Sequence, residues 1–192
     1  MVTIDKIKEL REATGVSVMQ CKKALEEAEG DSEKALVILR KKSGEIAAKK
    51  SDRILSSGTV ASYIHVGGTV GAMVMLSSET DFVSSNEDFK MFARELAMHI
   101  TATNPLFIRR EDVPEEEREK ARAVFLKEAM EKPEAVREKI VAGKLDAYFG
   151  ERVLYDQSYI KKPEITIRSI LEEAIQKFGE KIEVTRFVRF SV

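Results

Sequence analysis

Phe89, Phe92, Ala93, Leu96, Ala97 and Ile100 recur at i, i+3, i+4, i+7, i+8 and i+11. That spacing lays one apolar stripe along a helix of 3.6 residues per turn. A striped helix must bury its stripe against another layer of structure. The segment before it supplies a partner, because Val70, Ala72, Val74 and Leu76 alternate with period two and share one face of a strand. Helix stripe and strand face together predict an α+β chain with an antiparallel sheet packed on helices.

The rest of the chain fits around that pair. Gly67-Gly68 reads as the turn of a hairpin whose strands are 59–66 and 69–77. Residues 183–191 read as a third strand with Val184, Val188 and Phe190 on one face. Ser85 or Asn86 starts the striped helix, and Asn104-Pro105 ends it. Further helices are expected over 114–132, 134–149 and 166–178.

Upstream, residues 3–50 read as a small three-helix bundle. Thr3 caps a helix with Ile4, Ile7 and Leu10 inward, and Thr14-Gly15 stops it. Ser17 caps a second helix, with Gln20 completing a capping box. Its inward stripe is Val18, Cys21, Leu25 and Ala28. Asp31 caps a third helix with Leu36 and Leu39 inward, and Gly44 is expected to break it. The domain plan is therefore 1–50 helical, 51–58 linker and 59–192 α+β core.

Composition narrows function mainly by exclusion. A net charge of −1 argues against general nucleic-acid binding through a basic surface. One cysteine and two histidines offer no metal-ligand spacing, no nucleophile with a base and no disulfide. Gly67-Gly68-x-x-Gly71 lacks both the GK[ST] signature and the strand-to-helix setting of a phosphate loop. Neither a signal peptide nor a long apolar run is seen, so a cytoplasmic protein is expected, with no membrane partner and no cofactor. Cys21 reads as a small core residue and His99 as structural.

Two places remain that suit contact with another protein. Met19 points about 140° from the centre of its helix's apolar stripe, and methionine is an adaptable contact residue. The run Met73 to Val83 reads as a buried strand ending in a polar turn that sets Asp81 beside Phe82. A phenylalanine just after a strand ordinarily tucks into its own core. The alternative is a wedge that enters a partner's pocket while Asp81 perturbs a cation or helix end there.

Resemblance bears on that choice. Thr14-Gly15-x-x-x-Met19-x-Cys21-Lys22-Lys23-Ala24-Leu25 resembles the N-terminal signature of bacterial elongation factor Ts, and Glu79-Thr80-Asp81-Phe82-Val83 resembles its second signature. Tyr63-Ile64-His65-x-Gly67-Gly68 and Arg186-Phe187-Val188-Arg189-Phe190 also fit, in the family's order. The length resembles the short form of the family.

The resemblance implies a ubiquitin-associated-like helical module followed by a core, and guanine nucleotide exchange on elongation factor Tu. It implies that Asp81 and Phe82 enter near the magnesium and nucleotide site, flanked by Thr80 and Val83. Val18 and Met19 would dock, with Arg11 and His65 as further contacts, and a homodimer is possible. Gln20 and Ser78 depart from the common acidic residue and cysteine. The alternative is a ubiquitin-associated-like binding module without exchange activity.

Overall fold

The computed structural model describes residues 2–192. The chain folds into two compact units that interleave in sequence. One holds residues up to Ala61, Met75–Ala93 and Arg168–Thr185; the other holds Ser62–Val74, Arg94–Ile167 and Arg186–Val192. As expected, the fold is α+β, with a helical N-terminal part and a three-stranded antiparallel sheet.

Three helices open the first unit: α1 (Ile4–Thr14), α2 (Val18–Glu27) and α3 (Ser32–Ala48). Their caps follow the sequence. Thr3 accepts from the Lys6 N–H, Ser17 from Gln20 and Asp31 from both Glu33 and Lys34. Gly15 closes α1 in the left-handed region, at φ 67°. Leu10, Val16, Cys21, Ala24, Leu25, Ala28, Ala35 and Leu39 form the core.

Three details differ from the expected pattern. Ile4 is 72% exposed, while Val2 and Ile7 on either side of it pack against the bundle core. Val18 is 45% exposed, and the inward places on α2 go to Cys21, Ala24, Leu25 and, at its C-cap, Ala28. Val16, just before the cap, takes the core position instead and packs with Cys21 as a hydrophobic staple. Gly44 does not break α3. A glycine inside a helix costs about 1 kcal/mol relative to alanine, and here tertiary packing overrides that preference.

The packing comes from α8 (Ile167–Phe178). A Cβ on Gly44 would sit 3.3 Å from Glu172 Oε2. Arg40 Nε donates to Glu173 at 3.2 Å, and Ser43 and Gln176 meet at 2.5 Å in a buried contact. Burial raises the Glu172 carboxyl, and Glu173 adds to that against the opposing pull of Arg168.

The sheet has the order β1 (Ser57–Ile64), β2 (Val70–Ser78), β5 (Ile182–Ser191). Its hairpin turns through Gly67 and Gly68, both at positive φ, and closes with His65 N–H donating to the Val70 carbonyl at 2.9 Å. Ala72, Val74 and Leu76 are buried, whereas Met73 and Met75 are exposed, so β2 is covered on one face and not two. On β5 the expected shared face breaks up. Val184 is buried but Val188 and Phe190 are exposed, because consecutive Thr185 and Arg186 both face solvent and the alternation shifts there.

Following β2, α4 (Asp81–Ser84) is a single turn, and α5 (Glu87–Thr103) is the striped helix. Phe89, Ala93, Leu96, Ala97 and Ile100 are fully buried. Asn86 caps α5 by accepting from the Asp88 N–H, and Asn104 ends it at φ 49°.

In the second unit, α6 (Glu115–Ala129) and α7 (Glu134–Gly150) pack together around Val113, Ala121, Phe125, Leu145 and Phe149. The small sheet β3 (Ser158–Tyr159) with β4 (Lys162–Thr166) is absent from the sequence reading. Its strands are too short to show a period. His99 is fully buried. Its Nδ1 faces the Ile160 N–H at 3.4 Å, which leaves Nε2 to donate to Gln157 Oε1 at 2.9 Å. Burial lowers its pKa against the opposing pull of Gln157, so the ring is held neutral.

Candidate protein-contact site

The Asp81-Phe82 turn is built from β2 outward. Ser78, the last residue of β2, is buried, and its hydroxyl donates to the Thr80 carbonyl at 3.0 Å. Ser78 is therefore a structural donor inside the turn. Ser56 N–H donates to the Ser78 carbonyl, and the Ser56 hydroxyl donates to the Glu79 carbonyl.

Glu79 turns its carboxylate inward. It accepts from the Lys181 N–H at 2.6 Å and from Arg53 Nη1 at 3.1 and 3.2 Å. Partial burial works to raise this carboxyl, but the Lys181 N–H and Arg53 outweigh it and hold the pKa below the usual carboxylate range. Thr80 is gripped in the opposite direction. Its N–H and hydroxyl both donate to Glu180, at 3.0 and 2.5 Å.

Beyond Thr80 the chain makes the one turn of α4. Ser85 N–H donates to the Asp81 carbonyl at 2.9 Å, and the Ser57 and Ser84 hydroxyls meet at 2.7 Å. Val83 is 4% exposed and anchors the turn. Phe82, one residue earlier, is 83% exposed. Asp81 is exposed beside it. Phe82 therefore does not tuck into its own core.

The other residues singled out from sequence are also at the surface. Met19 is 64% exposed and stands with Val18 in the first turn of α2. Arg11 is exposed near the end of α1. Arg11, Val18, Met19 and Thr80 to Val83 all belong to the first unit. His65 belongs to the second, exposed at the hairpin with its Nδ1 3.2 Å from the Tyr63 hydroxyl. Sequence reasoning missed Arg53, Glu180 and Lys181. No local pattern marks them, since Glu180 meets Thr80 across 100 residues of chain.

Cys21 is a buried thiol in the bundle core. Among the described residues no group of three or more histidine, cysteine or acidic side chains is arranged to hold a metal ion, and no helix is long and apolar enough to cross a membrane.

Comparison with known proteins places this sequence in a family. The sequence model described as Elongation factor TS matches residues 4–192. The elongation factor Ts of Carboxydothermus hydrogenoformans is 50% identical over 194 residues, covering 100% of this chain and 89% of that protein. The elongation factor Ts of Thermotoga neapolitana is 46% identical over 191 residues, covering 100% and 97%, and that of Desulfotalea psychrophila is 44% identical over 193 residues, covering 100% and 98%. With residues 4–192 matched by the family's sequence model and relatives 44–50% identical over the whole of it, the chain belongs to the elongation factor Ts family.

Proposed function

We propose that this protein is a guanine nucleotide exchange factor for elongation factor Tu in translation elongation, working in the cytoplasm, with residues 1–50 as docking module and the α+β part as exchange core. The observation that carries the reading is Phe82. A large aromatic ring left 83% exposed on a braced single turn contributes little to its own fold and is available to a partner.

An exchange factor needs no acid, base or nucleophile of its own. It must bind the nucleotide-free GTPase more tightly than the GDP-bound form, and inverting a 99:1 population takes about 5.5 kcal/mol of differential binding. By reciprocity, GDP weakens the exchange factor by the same factor. Phe82 acts as the wedge between partner helices, and Asp81 disturbs the partner's magnesium site. Val18 and Met19 dock the complex, with Arg11 and His65 as further contacts. Thr80 and Val83 serve the wedge from below, since Glu180 engages the Thr80 side chain and Val83 is buried.

The exposed apolar side chains Ile64, Met73, Val188 and Phe190, on the parts of β1, β2 and β5 that belong to the second unit, suit a homodimer contact. The test of the main reading is release of a fluorescent GDP analogue from elongation factor Tu with and without this protein. Exchange predicts faster release and a complex that GDP dissociates. Binding without acceleration would instead favour a ubiquitin-associated-like docking module.

A further inference from the structure

Thr80 occupies the N-cap position of α4, yet its side chain makes no capping hydrogen bond to that helix. The hydroxyl goes to Glu180 instead, and so does the Thr80 N–H, each to a different oxygen of the one carboxylate. The next pair runs the other way, with the Lys181 N–H donating to Glu79. Residues 79 and 80 are thus cross-clamped to 180 and 181, and Arg53 fixes the Glu79 end.

We propose that Glu180 is a positioning residue for exchange: by holding Thr80 with both carboxylate oxygens it sets the direction in which Asp81 and Phe82 leave the protein. The inference rests on the exchange reading above. Its physical basis is the weakness of α4 alone. A helix of four residues is far below the length at which a helix is stable in isolation. The aim of Phe82 therefore has to come from what holds the ends of the turn. Val83 anchors the far side, and the Glu180 clamp fixes the residue directly before Asp81. Charge-assisted hydrogen bonds to both oxygens are strong and directional. A wedge ordered beforehand avoids an entropy cost at insertion, so the clamp acts on the release step more than on docking.

The test uses full-length Glu180→Ala, Glu180→Gln, Phe82→Ala and the Glu180→Ala/Phe82→Ala double variant. Release of fluorescent GDP from elongation factor Tu is followed by stopped flow over a range of factor concentrations. Glu180→Ala should lower the maximal release rate roughly tenfold while the half-saturating concentration changes less than about twofold, the pattern of a displaced group. Glu180→Gln should restore most of the rate, because a carboxamide can accept from the Thr80 N–H and donate to its hydroxyl oxygen. The double variant should lose clearly less than the product of the two single losses, since Glu180 acts in large part through that ring.

An unchanged maximal rate in Glu180→Ala beside a slow Phe82→Ala overturns the inference, as do losses that multiply in the double variant. Amide hydrogen exchange of the free protein separates this from the exchange reading. Glu180→Ala should speed exchange at the hydrogen-bonded amides of Thr80, Ser84 and Ser85, and protection equal to wild type overturns the positioning role whatever happens with the partner. If Phe82→Ala releases GDP as fast as wild type, the wedge role of Phe82 fails; if the wild-type protein does not speed release, the exchange reading fails; in either case the amide data still decide whether Glu180 orders the turn.

Discussion

Phe82 and Val83 are adjacent in the chain and opposite in environment, the ring in solvent and the valine buried beneath it. The single turn of α4 imposes this, since successive residues on a helix point about 100° apart. Phe82→Ala should therefore leave the melting temperature of the free protein nearly unchanged and slow GDP release. Val83→Ala should cost about 2 kcal/mol of stability, as deleting buried methyl groups does. Thermal melts of both variants, read beside stopped-flow release, check the pair. A large loss of stability in Phe82→Ala would return the ring to the core.

Docking is expected at the start of α2. Met19 is exposed while Cys21, two residues on, is fully buried. Met19→Ala should weaken the complex by about 1–2 kcal/mol without moving the melting temperature, as measured by calorimetry. Cys21→Asp should unfold the bundle by burying an unpaired carboxylate, and a bulky polar thiol reagent should label the native protein slowly.

Gly58 on β1 is required by a close backbone approach. A Cβ there would lie 2.8 Å from the Leu76 carbonyl oxygen and 3.1 Å from Ser77 Cα, atoms of β2 that cannot rotate away. Gly58→Ala should cost about 1–3 kcal/mol, the range for overpacking. Gly44→Ala should be milder, because its nearest neighbour is the end of the Glu172 side chain. Urea midpoints of the two variants test the order.

His99 makes stability depend on pH. Its pKa is lowered in the folded protein, chiefly by burial, whereas an unfolded histidine titrates near 6.5. Above that value neither state holds the proton. As pH falls below it the unfolded chain protonates first, and stability drops until the folded pKa is reached. Glu172, raised by burial, has the opposite sign and gains stability as pH falls through its own range. The slope of wild type minus His99→Gln between about pH 7 and pH 5.5 isolates the histidine and should be positive with rising pH.

The strongest local signals were legible in the sequence. The stripe from Phe89 to Ile100, the Gly67-Gly68 hairpin, the Ser17 and Asp31 caps and the outward Met19 all follow from period and capping chemistry. Gly44 misled because local propensity cannot register packing from α8. Val188 and Phe190 misled because strict alternation assumes that burial keeps the same phase along the whole strand, and on β5 it shifts at Thr185 and Arg186. The direction of Phe82 could not come from period at all. Physics alone favoured the core, and resemblance favoured the surface. The clamp beneath it was invisible because Thr80 and Glu180 meet only in the folded chain.

That long-range meeting has a consequence for synthesis. A nascent chain carries Asp81 and Phe82 well before it carries Glu180 and Lys181, which support Thr80 and Glu79. Until those later residues emerge, the wedge sequence exists without its brace. Competence should therefore arrive only once residues 180 and 181, and the strand β5 that follows them, have been made.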